Sequence, residues 1–292
     1  MRNNSLFCRI EMIKDMNRLL LICTTILLLA TASEAQISKF EDFTFPHTAV
    51  KERKAVPYRY IREANVKWSK RIHRVIDVRE KQNKVMHWPR NPFYLLVWNA
   101  AMNGELTAYA NDSLTSIKTP EDIMKEISIE TTVMVPNPDN PDDPYDMVPT
   151  TVVETQEPTD FVKYRLMEDW IFDYNYSDFR ARIIAIAPLI SPLTESGIDL
   201  GEVPLYWLKM DDLRDKLAQE EVFNGKNDAA RMSFDHWFQM RQFSSYIVKE
   251  SNMYDLDIAG LEEFRDDGVE ALLESDRIKN ELFILEHDLW EY

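Results

Sequence analysis

The chain has 292 residues, 45% of them hydrophobic, and carries 34 Lys and Arg against 50 Asp and Glu, a formal net charge of −16. That length is enough for one large or two modest domains with a real core. So acidic a balance disfavours nucleic acid as a partner, and six glycines are too few and too scattered to build a phosphate-cradling loop.

The first 35 residues read as an address. Met16-Asn17-Arg18 is a short basic n-region, Leu19–Leu29 an apolar core, and Ser33-Glu34-Ala35 a small-x-small cleavage site before Gln36. On this reading translation starts at Met16 and Met1–Asp15 is an upstream extension, with a start at Met1 as the alternative. The apolar run falls short of the ~20 residues of a spanning helix. A lipoprotein signal ending at Cys23 would need a small residue where Ile22 stands. Cys8 and Cys23 both lie in the removed segment, so the mature chain is expected to have neither disulfides nor a thiolate-ligated metal.

Residues 36–59 read as an extended N-terminal arm with Phe40, Phe43 and Phe45 interspersed. From Lys51 to Lys84, twelve Lys or Arg stand against four Asp or Glu, a local net of +8 in an acidic chain. Within it Trp68, Ile72, Val75 and Ile76 recur at the spacing of one helical face. Lys67, Lys70, Arg71 and Arg74 fall on the opposite face. That face is either a solvated surface or a docking surface for an acidic partner.

Trp88-Pro89-Arg90-Asn91-Pro92 breaks the chain. Phe93–Met102 then predicts a helix ending near Asn103-Gly104, and Gly104–Ala110 alternates as a strand. Thr119 and Pro120 open a second short helix as N-cap and first residue. The β-branched runs Thr131–Val135 and Thr150–Glu154 predict two antiparallel strands around an acidic Pro/Asp-rich loop at 136–149. Its spacing does not follow a calcium-binding EF-hand. Val162–Asp173 and Phe179–Leu189 predict a second hairpin, and Val203–Met210 a further strand.

The remainder predicts helices. Phe234, Trp237 and Phe238 lie on one side of a helix expected from about Asp228 to Lys249. A final helix repeats Ile278, Leu282, Leu285 and Leu289 along one stripe, with Phe283 and Trp290 as a second line able to meet a neighbouring protein. Strands in succession before a helical block imply an α+β fold, a small, mainly antiparallel sheet with a C-terminal helical block packed on it.

Motif searches leave chemistry without a candidate. The sequence has no G-x-S-x-G elbow and no S-x-x-K, and its five histidines stand too far apart for H-E-x-x-H. Asp235-His236 and Glu286-His287-Asp288 are the best metal candidates, but adjacent helical residues diverge. Glu168-Asp169 and Glu220-Glu221 are pairs that an acidic chain yields without catalysis. No catalytic, cofactor-binding or metal residue is expected; the candidate partner-binding residues are Lys67, Lys70, Arg71, Arg74 and Trp290.

Six blocks carry a family resemblance: REANVKWSKRIHRVIDVREK (Arg62–Lys81), GELTAYANDSL (Gly104–Leu114), KYRLMEDWIFD (Lys163–Asp173), QEEVFNGKNDAARMSFDHWF (Gln219–Phe238), FSSYIVKESNMYD (Phe243–Asp255) and ESDRIKNELFILEHDLWEY (Glu274–Tyr292). In order and spacing they resemble the GldN/PorN family, the periplasmic ring component of the type IX secretion and gliding machinery. The resemblance implies residues 60–292 as a single GldN-like domain and a structural, non-enzymatic role without cofactors. It also implies self-association in a ring under the outer membrane, a GldK/PorK-like outer-membrane lipoprotein partner and a GldL/GldM (PorL/PorM) motor. A cell-wall-polymer binding module and a carboxylate-based hydrolase are the alternatives.

Overall fold

Two neighbouring runs of β-branched and aromatic residues, Lys163–Asp173 (β6) and Asp178–Ile190 (β7), form the long antiparallel hairpin at the centre of the molecule. The computed structural model describes residues 49–136, 147–192, 201–225, 227, 229–265 and 267–289. Before the hairpin come Val66–Asp77 (β1), Ala108–Tyr109 (β2), Ile117–Lys118 (β3), Ser128–Pro136 (β4) and Met147–Thr155 (β5). After it come Val203–Pro204 (β8), Trp207–Lys209 (β9), Glu221–Val222 (β10), Met232–Ser233 (β11) and Tyr246–Glu250 (β12). The main sheet runs in the order β12-β1-β6-β7-β9-β2-β3, with β8 beside β7, and its pairings are antiparallel. β4 and β5 form a separate nine-pair ladder from Ser128↔Thr155 to Pro136↔Met147.

Among the described residues five α-helices accompany the sheet: Phe93–Met102 (α1), Pro120–Ile127 (α2), Met210–Gln219 (α3), Phe234–Gln239 (α4) and Gly268–Asp288 (α5). α1 stops at Gly104, whose φ of +66° is a left-handed conformation that glycine adopts without strain. Thr119 caps α2 by accepting the Asp122 N–H at 3.2 Å, with Pro120 at the first position.

Successive side chains of a strand face opposite ways, and this sheet buries apolar residues on both faces. One face sets Ile76, Tyr164, Leu166, Ile183 and Ile186 against α1, α3 and α4. Phe93 sits amid its aromatics, with ring centroids 5.1 Å from Tyr164, 5.2 Å from Phe234 and 5.5 Å from Phe238. Further along, Ile72 and Ile247 meet Ile278 and Leu282 of α5. The other face packs Met167, Ala185 and Ala187 on Trp207. The edge strand β12 is not left open: buried Ser275 of α5 accepts the Ile247 N–H at 2.9 Å. The α+β class with an antiparallel sheet and a C-terminal helix is therefore what the chain adopts.

Four local expectations need correction. The basic stretch is strand β1, not a helix. Trp68, Ile72 and Ile76 are four apart, a spacing that suits one side of a strand as well as a helical face, and two more β-branched residues, Val66 and Val75, favour the strand. Of the strand expected at Gly104–Ala110, only Ala108–Tyr109 pairs. Val203–Met210 is broken into β8 and β9. The helix expected over Asp228–Lys249 is α4 followed by β12. α4 ends in a Schellman turn, with Arg241 N–H donating to Phe238 O at 3.0 Å and Gln242 N–H to Trp237 O at 3.1 Å. On the last helix Ile278 and Leu282 are buried and Phe283 is exposed, while Trp290 lies outside the described residues. So do the arm up to Thr48 and residues 137–146 of the acidic loop.

Candidate functional site

A helix would have placed Lys67, Lys70, Arg71 and Arg74 on one side, whereas a strand divides them. Lys67 is exposed, its ammonium 5.7 Å from the centre of the Tyr174 ring. Arg71 forks onto Asp169 of β6, Nε to Oδ1 at 2.7 Å and Nη2 to Oδ2 at 2.9 Å. On the other face Lys70 is paired with Glu250 of β12. Arg74 is buried, and the structure does not bring these four together as one surface.

Arg74 belongs instead to an ionic cluster under the sheet. Glu168 is wholly buried and accepts from Arg241 Nη2 at 3.0 Å and Trp170 Nε1 at 3.2 Å, with Arg74 Nε at 3.4 Å. Arg74 also donates to Ser245 Oγ at 3.3 Å. Both guanidiniums lie near the Trp170 ring, at 5.7 Å and 5.2 Å. Burial, together with the like charge of Arg241, holds the Arg74 pKa below its usual value, against the pull of Glu168. Arg241 reaches Glu168 from a left-handed backbone, φ +50°, at the helix-end position where glycine is the usual residue. Strain of this kind persists only where its surroundings fix it; here the fixing contact is the carboxylate. The arrangement locks β1, β6 and the α4–β12 turn together.

His73 is a further buried titratable group, 4% exposed and edge-on to Trp207 at 6.0 Å. Burial, then the charges of Arg165 and Lys249, lowers its pKa from 6.5 to about 4, with Asp112 and Asp257 opposing. The unfolded chain takes up this proton as pH falls through 6.5, and the folded chain does so only near 4. Stability is therefore expected to be undiminished above 6.5 and to fall between those values, by on the order of 3 kcal/mol. Carboxylates such as Asp77, held low by hydrogen bonds from Arg79, lose their contribution only at more acidic pH. Melting scans should show the loss from pH 6.5 to 4 in the wild type and a flatter profile in His73→Phe. A His73 ring titrating near 6.5 by NMR would overturn this.

Other groups singled out by type are also engaged. Glu168 and Asp169, consecutive on β6, project to opposite faces and are each held by arginine. Glu220 accepts from Asn91 Nδ2 at 2.9 Å, and Glu221 from Arg231 Nη1 at 2.5 Å. Asp235 forms a buried pair with Arg214, Nε to Oδ1 at 2.8 Å. That same guanidinium donates to the Val56 carbonyl at 2.6 Å and stacks 4.0 Å from the Tyr58 ring, fastening the segment before β1. Among the described residues no three His, Cys, Asp or Glu stand where they could hold a metal ion, and no helix is long and apolar enough to cross a membrane.

What the sequence search missed is the end of the sheet at the β6–β7 turn. Tyr174 and Tyr176 of the turn and Tyr60 ahead of β1 are exposed, at 66%, 53% and 84%. The Arg59 guanidinium lies 3.5 Å over the Tyr176 ring. Tyr174 N–H donates to Asn65 O at 2.9 Å, pinning the turn beside β1. The signal was available in composition, since Tyr and Arg are the residues that interfaces concentrate.

A family model described as "Gliding motility associated protein GldN" matches residues 61–291. The chain belongs to the GldN family. The match takes in β1 through α5, so the sheet, the ionic cluster and the Tyr174–Tyr176 turn are parts of the GldN-family region, whereas Arg59 and Tyr60 precede it. The family is a component of gliding motility and type IX secretion, and a structural one. No curated protein matches the chain.

Proposed function

We propose that this chain is a non-enzymatic structural subunit of a periplasmic ring in the type IX secretion and gliding machinery, assembling with an outer-membrane lipoprotein of the GldK/PorK kind. The family match over residues 61–291 carries the proposal. Supporting it, the buried carboxylates Glu168 and Asp235 are engaged in internal pairs with Arg241 and Arg214 that hold the fold together. The long helix α5 also keeps Val269, Leu272, Leu273, Phe283 and Ile284 exposed on a helix whose Ile278 and Leu282 are buried. Exposed apolar residues on the side of the helix opposite its buried one suit contact with a neighbouring protein.

Loss of the protein is expected to stop export of type IX cargo. Affinity capture from outer-membrane extracts should then recover the lipoprotein together with it. Cargo release that continues at the wild-type level without the protein would sink the proposal. Recovery of the protein without any lipoprotein would remove the assembly part of it.

A further inference from the structure

The tyrosine end of the sheet carries more positive charge than its own carboxylates balance. Arg59, Arg62 and Lys67 are exposed there, and among the described residues none of the three has a carboxylate partner. The neighbouring acids are Glu63, Asp173 and Asp178. Asp178 is paired with Arg180, and buried Asp173 accepts the Asn175 N–H at 3.0 Å. Arg59, Ile61, Ile171 and Arg180 line a small hollow together with the already engaged Asp173 and Asp178. Exposed tyrosines, uncommitted cations and a hollow form a recognisable acceptor for a proline-bearing acidic peptide.

The same chain contains such a peptide. Residues 136–149 read PNPDNPDDPYDMVP, with Asp139, Asp142, Asp143 and Asp146 and no Lys or Arg. Pro138, Pro141 and Pro144 recur every third residue, the repeat of polyproline II, which sets prolines along one side and leaves acids on the others. The segment joins β4 to β5, and that ladder is rooted at the far end of the main sheet. Gln156 N–H donates to Ile127 O at 2.9 Å, and Gln156 Nε2 donates to Ser191 O at 2.7 Å, just beyond the end of β7. The tyrosines lie at the start of β7, and a strand of 13 residues separates the two ends by roughly 40 Å.

We propose that residues 137–146 of one copy dock on the Tyr60, Tyr174 and Tyr176 surface of the next, held by Arg59, Arg62 and Lys67. The ladder that carries the donor is rooted at the end of the sheet away from the acceptor, and two different surfaces meet in the contact, so it is head-to-tail, the kind that propagates and closes into a ring when the rotation permits. Ring closure rests on the structural-subunit reading given above, but the pairing itself does not.

The test uses two charge-neutralised variants of the purified protein. One is Arg59→Gln/Arg62→Gln/Lys67→Gln; the other is Asp139→Asn/Asp142→Asn/Asp143→Asn. Each retains one working end. In sedimentation velocity at low salt, each alone should associate roughly tenfold or more weakly than the wild type. An equimolar mixture of the two should stop at a dimer. Unchanged melting temperatures would show that both remain folded. A mixture that stays monomeric overturns the proposal, including the case of a segment folded onto its own copy. So does a variant that associates as the wild type does. Cargo export that needs the protein but tolerates both variants would discard this contact and leave the structural-subunit reading standing; export that does not need the protein removes that reading itself.

Discussion

Replacing Glu168 by Ala is expected to cost the fold about 3–5 kcal/mol. The carboxylate is wholly buried between Arg74 and Arg241, and without it two guanidiniums would face one another with no counter-charge. Arg241 would also lose the contact that offsets its left-handed backbone. The cost should lie in the unpaired arginines rather than in the missing glutamate. Glu168→Ala combined with Arg74→Met is therefore expected to recover part of the loss, because removing both members of a buried pair is far milder than removing one. Urea denaturation of the single and double variants measures this. A single variant within about 1 kcal/mol of wild type, or a double variant worse than the sum of the singles, would show that the cluster is hydrated and dispensable.

Trp237→Ala is expected to destabilise by a similar amount, about 3–5 kcal/mol, for a different reason. Trp237 is 2% exposed, with ring centroids 5.0 Å from Phe238 and 5.7 Å from Phe243. Deleting the indole opens a cavity among rings that are held by α4 on one side and the start of the β12 segment on the other. Its carbonyl also accepts the Gln242 N–H of the Schellman turn. Loosening this corner therefore moves Arg241 and weakens the Glu168 cluster as well. Denaturation should show a lowered midpoint with little change in slope. A loss below about 1 kcal/mol would place the tryptophan's role at a contact with another protein.

Local pattern settled a good deal about this protein. The hairpin of β6 and β7, the helix α1, the Thr119-Pro120 start of α2 and the two strands flanking the acidic loop all follow from signals confined to a few adjacent residues. The family, too, was legible in six blocks of sequence and is that of the matched model. The identity of β1 was not, because apolar residues spaced by four satisfy both candidate periods there, and only its partners on either side, β6 and β12, choose the strand. That choice then redistributed the basic residues: Arg71 to Asp169, Lys70 to Glu250, Arg74 to Glu168. Sequence determined that this stretch would be basic and half apolar; tertiary structure decided which charges remain free. Glu168 and Arg241 stand 73 positions apart, and no local pattern reports such a pair. Their meeting depends on strand register and on where α4 ends, quantities fixed by packing across the whole sheet.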